Sequence, residues 1–129
     1  MMILALAVVL ADANLACARS APAISGVTSR LDAAAGGLNT YALHISIFNR
    51  GSQRQASNVL QSVSIFQDGS KVDQKGIPPL AAGGSYAFDY TFSRADGARP
   101  GTTSFAFALQ PDRNADAACY GATPYRLRV

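Results

Sequence analysis

Tyr86-Ala87-Phe88-Asp89-Tyr90-Thr91-Phe92-Ser93 decides the fold: aromatic side chains hold every even position, and small or polar ones every odd position. Successive side chains of an extended chain point to opposite faces, so this stretch reads as a strand with one aromatic and one hydrated face. Phe105, Phe107 and Leu109 repeat the arrangement after the turn signals Asp96-Gly97 and Pro100-Gly101. Two such apolar faces are buried when two sheets stack on each other.

The same period runs outward from this centre. Tyr41, Leu43, Ile45 and Ile47 alternate with Ala42, His44 and Ser46, and the strand stops at Asn49-Arg50-Gly51. Val63 and Ile65 alternate with Ser62, Ser64 and Phe66. Asp68-Gly69 then supplies a tight hairpin turn into a strand over Lys71 to Gln74. An earlier strand is expected from Ile24 to Leu31, ended by Gly36-Gly37, and a last one from Tyr125 to Val129 after Pro124. No apolar spacing of three and four persists beyond the first residues. The fold class is therefore all-β: an Ig-like or fibronectin-III-like β-sandwich of about seven antiparallel strands.

The 129 residues are 49% hydrophobic and 15% charged, which excludes a disordered chain and a multidomain enzyme and leaves one domain. The nine Arg are scattered instead of forming a basic stripe, so the net charge of +3 does not point to nucleic acid. Glu is absent and there is a single His, so the side chains that build most acid–base and metal chemistry are nearly missing.

Met1 to Leu10 is entirely apolar and is followed by Ala11-Asp12-Ala13, the small-x-small pattern of a signal peptidase site. The run is shorter than the roughly 20 apolar residues a membrane-spanning helix needs. The expected organisation is a signal peptide over residues 1–13 and a sandwich domain over 14–129, placed in the bacterial periplasm or outside the cell. Cleavage after Ala13 keeps Cys17 and Cys119 together, and an even count in an oxidising compartment favours a disulfide. Closing a loop of about 100 residues, that bridge contributes on the order of 4.7 kcal/mol by chain entropy. Two other readings stay open: a lipoprotein acylated at Cys17, and two unrelated buried thiols.

Four segments together resemble the CARDB domain, the cell-adhesion-related module found in bacteria. They are Ile45-Ser46-Ile47-Phe48-Asn49-Arg50-Gly51, Val63-Ser64-Ile65-Phe66-Gln67-Asp68-Gly69, Ile77-Pro78-Pro79-Leu80-Ala81-Ala82-Gly83-Gly84-Ser85 and Phe107-Ala108-Leu109-Gln110-Pro111-Asp112-Arg113-Asn114. The resemblance spans about residues 24 to 114. It implies a strand ending in Asn-x-Gly, a strand turning at Asp-Gly, a corner opening the aromatic strand and a closing Asp-x-Asn loop. Gly51, Gly69 and Gly83 or Gly84 stand at reversals where positive φ is expected, and Leu80 is placed to plug the corner between sheets. The chain departs from the family where Ala115 to Tyr125, with a cysteine, replaces the usual acidic and Asn-rich tail.

Few residues offer chemistry. His44 falls on the outer face by alternation, no Gly-x-Ser-x-Gly elbow exists, and no pair of Asp is singled out for acid–base work. Asp112, Asn114 and Asp116 have a spacing that suits Ca²⁺, but Ala117 and Thr123 break the EF-hand continuation, and a turn bonded to its own backbone is the favoured reading. No cofactor or metal is expected. The binding surface is expected at the pole carrying the loops after Asn49 and Gln110, where Arg50, Arg54, Arg113 and Tyr120 would gather as donors for carboxylate or phosphate beside one amphipathic ring. The function expected is that of a non-catalytic exported module for surface recognition, adhesion or assembly. Its partner would be an envelope protein or polysaccharide, and the alternative is a small-ligand or carbohydrate-binding protein that uses the same pole.

Overall fold

The computed structural model describes residues 19–96, 101–110 and 124–129. Seven strands succeed one another in them: β1 (Pro22–Ala35), β2 (Leu38–Asn49), β3 (Gln61–Gln67), β4 (Ser70–Ile77), β5 (Ser85–Ala95), β6 (Ser104–Leu109) and β7 (Tyr125–Arg128). They form two sheets, a three-stranded one in the order β1-β2-β5 and a four-stranded one in the order β4-β3-β6-β7, with every pairing antiparallel. This is the all-β, Ig-like sandwich that the alternation predicts. No helix of the described residues is long and apolar enough to cross a membrane.

The core lies where the period placed it. Leu43, Ile45 and Ile47 of β2, Phe88 and Phe92 of β5, Val63 and Ile65 of β3, and Phe105, Phe107 and Leu109 of β6 are all buried in one cluster. Phe92 meets Phe105 across the sandwich at 4.8 Å between centroids, and Phe105 stacks on Phe107 of its own strand at 6.1 Å. Contacts at this spacing add to the area-based stabilisation of burying each ring. Leu80, from the corner before β5, is buried in the same cluster, as the corner reading requires.

Two hairpin turns have the same chemistry. Gly36-Gly37 joins β1 to β2 with φ of 59° and 81°, and Asp68-Gly69 joins β3 to β4 with φ of 49° and 87°. Two consecutive left-handed residues match the twist of paired strands. The first turn corrects the expected boundaries, since β1 and β2 stay paired up to it past a bulge at Asp32 and pair Ala35 with Leu38. That extension is exposed over residues 32–38 and half-buried but polar at Asn39 and Thr40, so it carries no apolar alternation.

The glycine expectation holds at Gly69 and at Gly83 of the Gly83-Gly84 pair, which have positive φ, and fails at Gly51, which does not. At Gly51 the need is space: a Cβ there would stand 1.7 Å from the carbonyl oxygen of Arg19, so the backbones of the 50–53 loop and the entry to β1 touch only because the side chain is missing.

Polar side chains close the end of the sandwich where β2 starts. Asp96, buried, accepts hydrogen bonds from Arg94 Nε at 2.5 Å, Asn39 Nδ2 at 2.7 Å, the Gly101 N–H at 2.9 Å and the Tyr41 hydroxyl. Arg94 also donates to Thr103 Oγ1 and the Val129 carbonyl, at 2.7 and 2.8 Å, and lies over the Tyr41 ring. The Arg94 guanidinium, then the Tyr41, Gly101 and Asn39 donors, hold the Asp96 carboxyl well below the usual carboxylate range, and Asp96 in turn raises Arg94. A carboxylate with a depressed folded pKa stabilises the fold above its unfolded pKa, and this stabilisation is lost as pH falls through the folded value. Asp96→Asn is therefore expected to lower stability at neutral pH and to flatten its decline below about pH 4. Urea midpoints across that range check it, and an acid limb as steep as that of the parent would count against the assignment.

Candidate functional site

The opposite pole is built on Asn49, the last residue of β2. Its side chain is buried, and Oδ1 accepts from the Ala21 N–H at 2.8 Å and the Gly51 N–H at 2.9 Å. Nδ2 donates to the carbonyls of Gln53, Ala81 and Leu80 at 2.9, 3.2 and 3.3 Å. Its backbone N–H bonds the Gly84 carbonyl, and its carbonyl accepts from the Gly83 N–H. One side chain thus joins the entry to β1, the loop after β2 and the corner before β5. The Asn-x-Gly signature has this physical content: an amide supplies both donors and acceptors, and a glycine two residues on lets the chains close up.

A second buried pair fixes the far side of the loop. The Gln55 and Gln61 amides bond each other reciprocally at 2.8 and 2.7 Å, Gln61 Nε2 reaches the Pro78 carbonyl, and Gln55 Oε1 accepts from the Leu80 N–H. The chain from 50 to 61 is thus held at Gly51, Gln53, Gln55 and Gln61. Arg54, Ala56, Ser57, Pro79 and Ala81 line a cleft of about 640 Å³ between this loop and the corner.

Arg50 and Arg54 are exposed on this pinned loop. Arg19, exposed at the entry to β1, joins them through the backbone contact at Gly51. Across residues 19–22, 48–62, 77–85 and 110 there is no Asp or Glu, so the charged side chains in the described part of this pole are Arg19, Arg50 and Arg54. The Gln110 N–H bonds the Ser62 carbonyl, which brings the end of β6 to the same pole. Two of the four expected binding residues, Arg50 and Arg54, are therefore together at the predicted end of the sandwich. Arg113 and Tyr120 lie outside the described residues, as do Cys17, Cys119, Asp112, Asn114 and Asp116. Arg19 was missed, although its position directly before the first strand was the available signal. The cleft had only Pro78-Pro79 to announce it.

His44 is exposed on the outer face, as alternation requires, but it is not isolated. It stands opposite Asp89 across β2 and β5, with Nδ1 2.7 Å from Asp89 Oδ1, and Arg30 lies 3.8 Å from the other carboxylate oxygen. Both residues fall on the outward parity of their strands, and only the β2–β5 register brings them together. Among the described residues no serine or threonine is hydrogen-bonded to the ring, so the arrangement is a cross-strand hydrogen-bonded pair with no hydroxyl beside it. The described residues hold no group of three or more His, Cys, Asp or Glu that could bind a metal.

No family profile matches the chain, and no curated protein does. Solved structures do match. The CARDB domain of a Pyrococcus furiosus protein, crystallised in complex with di-metal ions, aligns with a TM-score of 0.56 over 87% of this chain and 93% of its own, at 9% identity. The fold is CARDB-like. A solution structure of the same CARDB domain gives a TM-score of 0.51 over 84% of this chain and 94% of its own, at 14% identity. At such identities the likeness establishes the sandwich and its connectivity. The resemblance read from the four segments therefore holds at the level of the fold.

Proposed function

We propose that this protein is an exported bacterial module, without catalytic activity, that recognises a partner in the cell envelope through its cationic loop pole. The observation that carries this reading is the immobilised loop 50–61, which presents Arg50 and Arg54 on a surface free of acidic residues among those described. Guanidinium groups on a fixed scaffold lose little freedom on binding and pair bidentately with carboxylate or phosphate. The polar side chains buried beneath them are occupied in joining the loops, as a recognition surface needs, and the CARDB-like fold agrees with an adhesion-related role. The expected partner is an envelope protein or polysaccharide bearing anionic groups.

Replacing Arg50, Arg54 and Arg113 together by Ala is expected to weaken binding to isolated envelope fractions roughly tenfold or more, since each lost charge-assisted hydrogen bond is worth about 1.5–3 kcal/mol before solvent screening. The fold should be unchanged by circular dichroism, and undiminished binding would remove the pole from the reading. The cleft beside Arg54 favours a second reading, a small-ligand or carbohydrate site. Calorimetric titration with anionic oligosaccharides, with Ser57→Trp filling the cleft, separates the two: loss of a measured heat in that variant selects the cleft.

A further inference from the structure

The sandwich has four sheet edges, and three of them carry devices against pairing. β1 is interrupted by register shifts at Ser25 and Asp32 and lies against β6 and β7 at its border. β4 has a bulge at Val72 and presents Lys71 and Lys75. β7 is four residues long, and two of these are Arg126 and Arg128. Short strands, lysines and bulges are the usual protections of an exposed edge. β5 has none of them. It runs for 11 residues without Pro, Gly or Lys, and its pairing with β2 is unbroken from Ser85 to Ala95.

The hydrogen-bond phase shows what this edge offers. The N–H and C=O of Asn49 bond toward Gly84 and Gly83 at the start of β5, whereas the N–H of the next residue, Arg50, bonds toward Ala21 at the start of β1. Odd-numbered residues of β2 therefore bond toward β5, where their partners are the even-numbered ones. The N–H and C=O groups of Ala87, Asp89, Thr91 and Ser93 point away from β2, and among the described residues no other strand pairs with β5.

We infer that β5 pairs with β5 of a second copy of this chain, antiparallel about a twofold axis through Tyr90, joining two three-stranded sheets into one of six strands. The argument for a second copy is that the strand is complementary to itself in this register. Ala87 then faces Ser93, Asp89 faces Thr91, Phe88 faces Phe92, Tyr86 faces Arg94, and Tyr90 faces its own equivalent. No like charges meet directly, and outward residues face outward ones. Asp89 already has Arg30 3.8 Å away and a hydrogen bond with His44 on its own sheet, so the axis does not bring together two uncompensated carboxylates. The same register brings all the outward odd N–H and C=O groups into hydrogen-bonded pairs, and a twofold contact needs only this one self-matching strand. The inference is independent of the arginine pole, which lies at the end of the sandwich and not along its side.

The test is sedimentation equilibrium of the full chain, with reductant present, over a range of concentrations. A reversible dimer is expected, together with amide protection at Ala87, Asp89, Thr91 and Ser93 that rises with concentration. Ala87 and Ser93 are exposed, so A87K/S93K should fold, and it sets lysines opposite each other twice across the axis. Its dissociation constant is expected to rise roughly tenfold or more. A87K/S93D keeps the bulk but makes those two pairs complementary, so it should restore parental association. A chain that stays monomeric, or a dimer that treats both double variants alike, overturns the proposal.

Discussion

Asn49→Ala is expected to destabilise the domain by about 3–4 kcal/mol, because it strips a buried site of an acceptor and a donor group at once. The Ala21 and Gly51 N–H groups lose Oδ1, and the carbonyls of Gln53, Leu80 and Ala81 lose Nδ2. A buried group left unpaired costs about 1–3 kcal/mol, and water entering from the loop recovers part of that, so the total falls below the simple sum. The backbone bonds of Asn49 to Gly83 and Gly84 survive the substitution, which keeps β2 and β5 in register. The loss should therefore centre on the pole, with exchange protection falling first at Ala21 and Gly51. Asn58→Ala, on an exposed asparagine of the same loop, is the control and should stay within about 0.5 kcal/mol. If urea unfolding finds the two variants equal, the amide is not the joint described. Binding should fall with Asn49→Ala as well, since the loop that carries Arg50 and Arg54 loses its anchor.

Reading along the chain located this pole but not its construction. The alternation found each strand that has one face in the core, because burial leaves a period-two trace in the sequence. It shortened β1 and β4 where their residues are exposed on both sides, and β2 at Asn39 and Thr40, which are half-buried but polar. Ala33, Ala34 and Ala35 are exposed and pair with Thr40, Asn39 and Leu38, and β4 is exposed along its whole length up to Ile77. The joining amides were hidden for a different reason. Gln55 and Gln61 are six residues apart and look like ordinary loop polarity, and only the closure of the 55–61 segment onto the corner makes them partners. His44 and Asp89 were separately legible as outward residues, but their contact is a property of register, which no stretch of either strand contains. Gly51 was recognised as necessary, though the reason is a neighbouring backbone at contact distance and not its own φ.

Phe107→Ala is expected to cost about 3–5 kcal/mol, the range for emptying a core position of an aromatic ring. Phe107 is completely buried, stacks on Phe105 at 6.1 Å and stands on β6 between β3 and β7, opposite Ile65 and Tyr125. The neighbours that would have to collapse into the vacated space are β-branched or aromatic, with few alternative rotamers, so most of the cavity should persist. For a domain of this size the melting temperature should drop by roughly 12–20 °C. Leu60→Ala supplies the contrast: Leu60 is 91% exposed, so the same loss of apolar carbon should change stability by less than about 0.5 kcal/mol. The two together test the parity on which the sandwich rests. Equal effects would mean that the ring at 107 does not face the opposite sheet, and the aromatic strand over 86–93 would then have lost the surface it packs against.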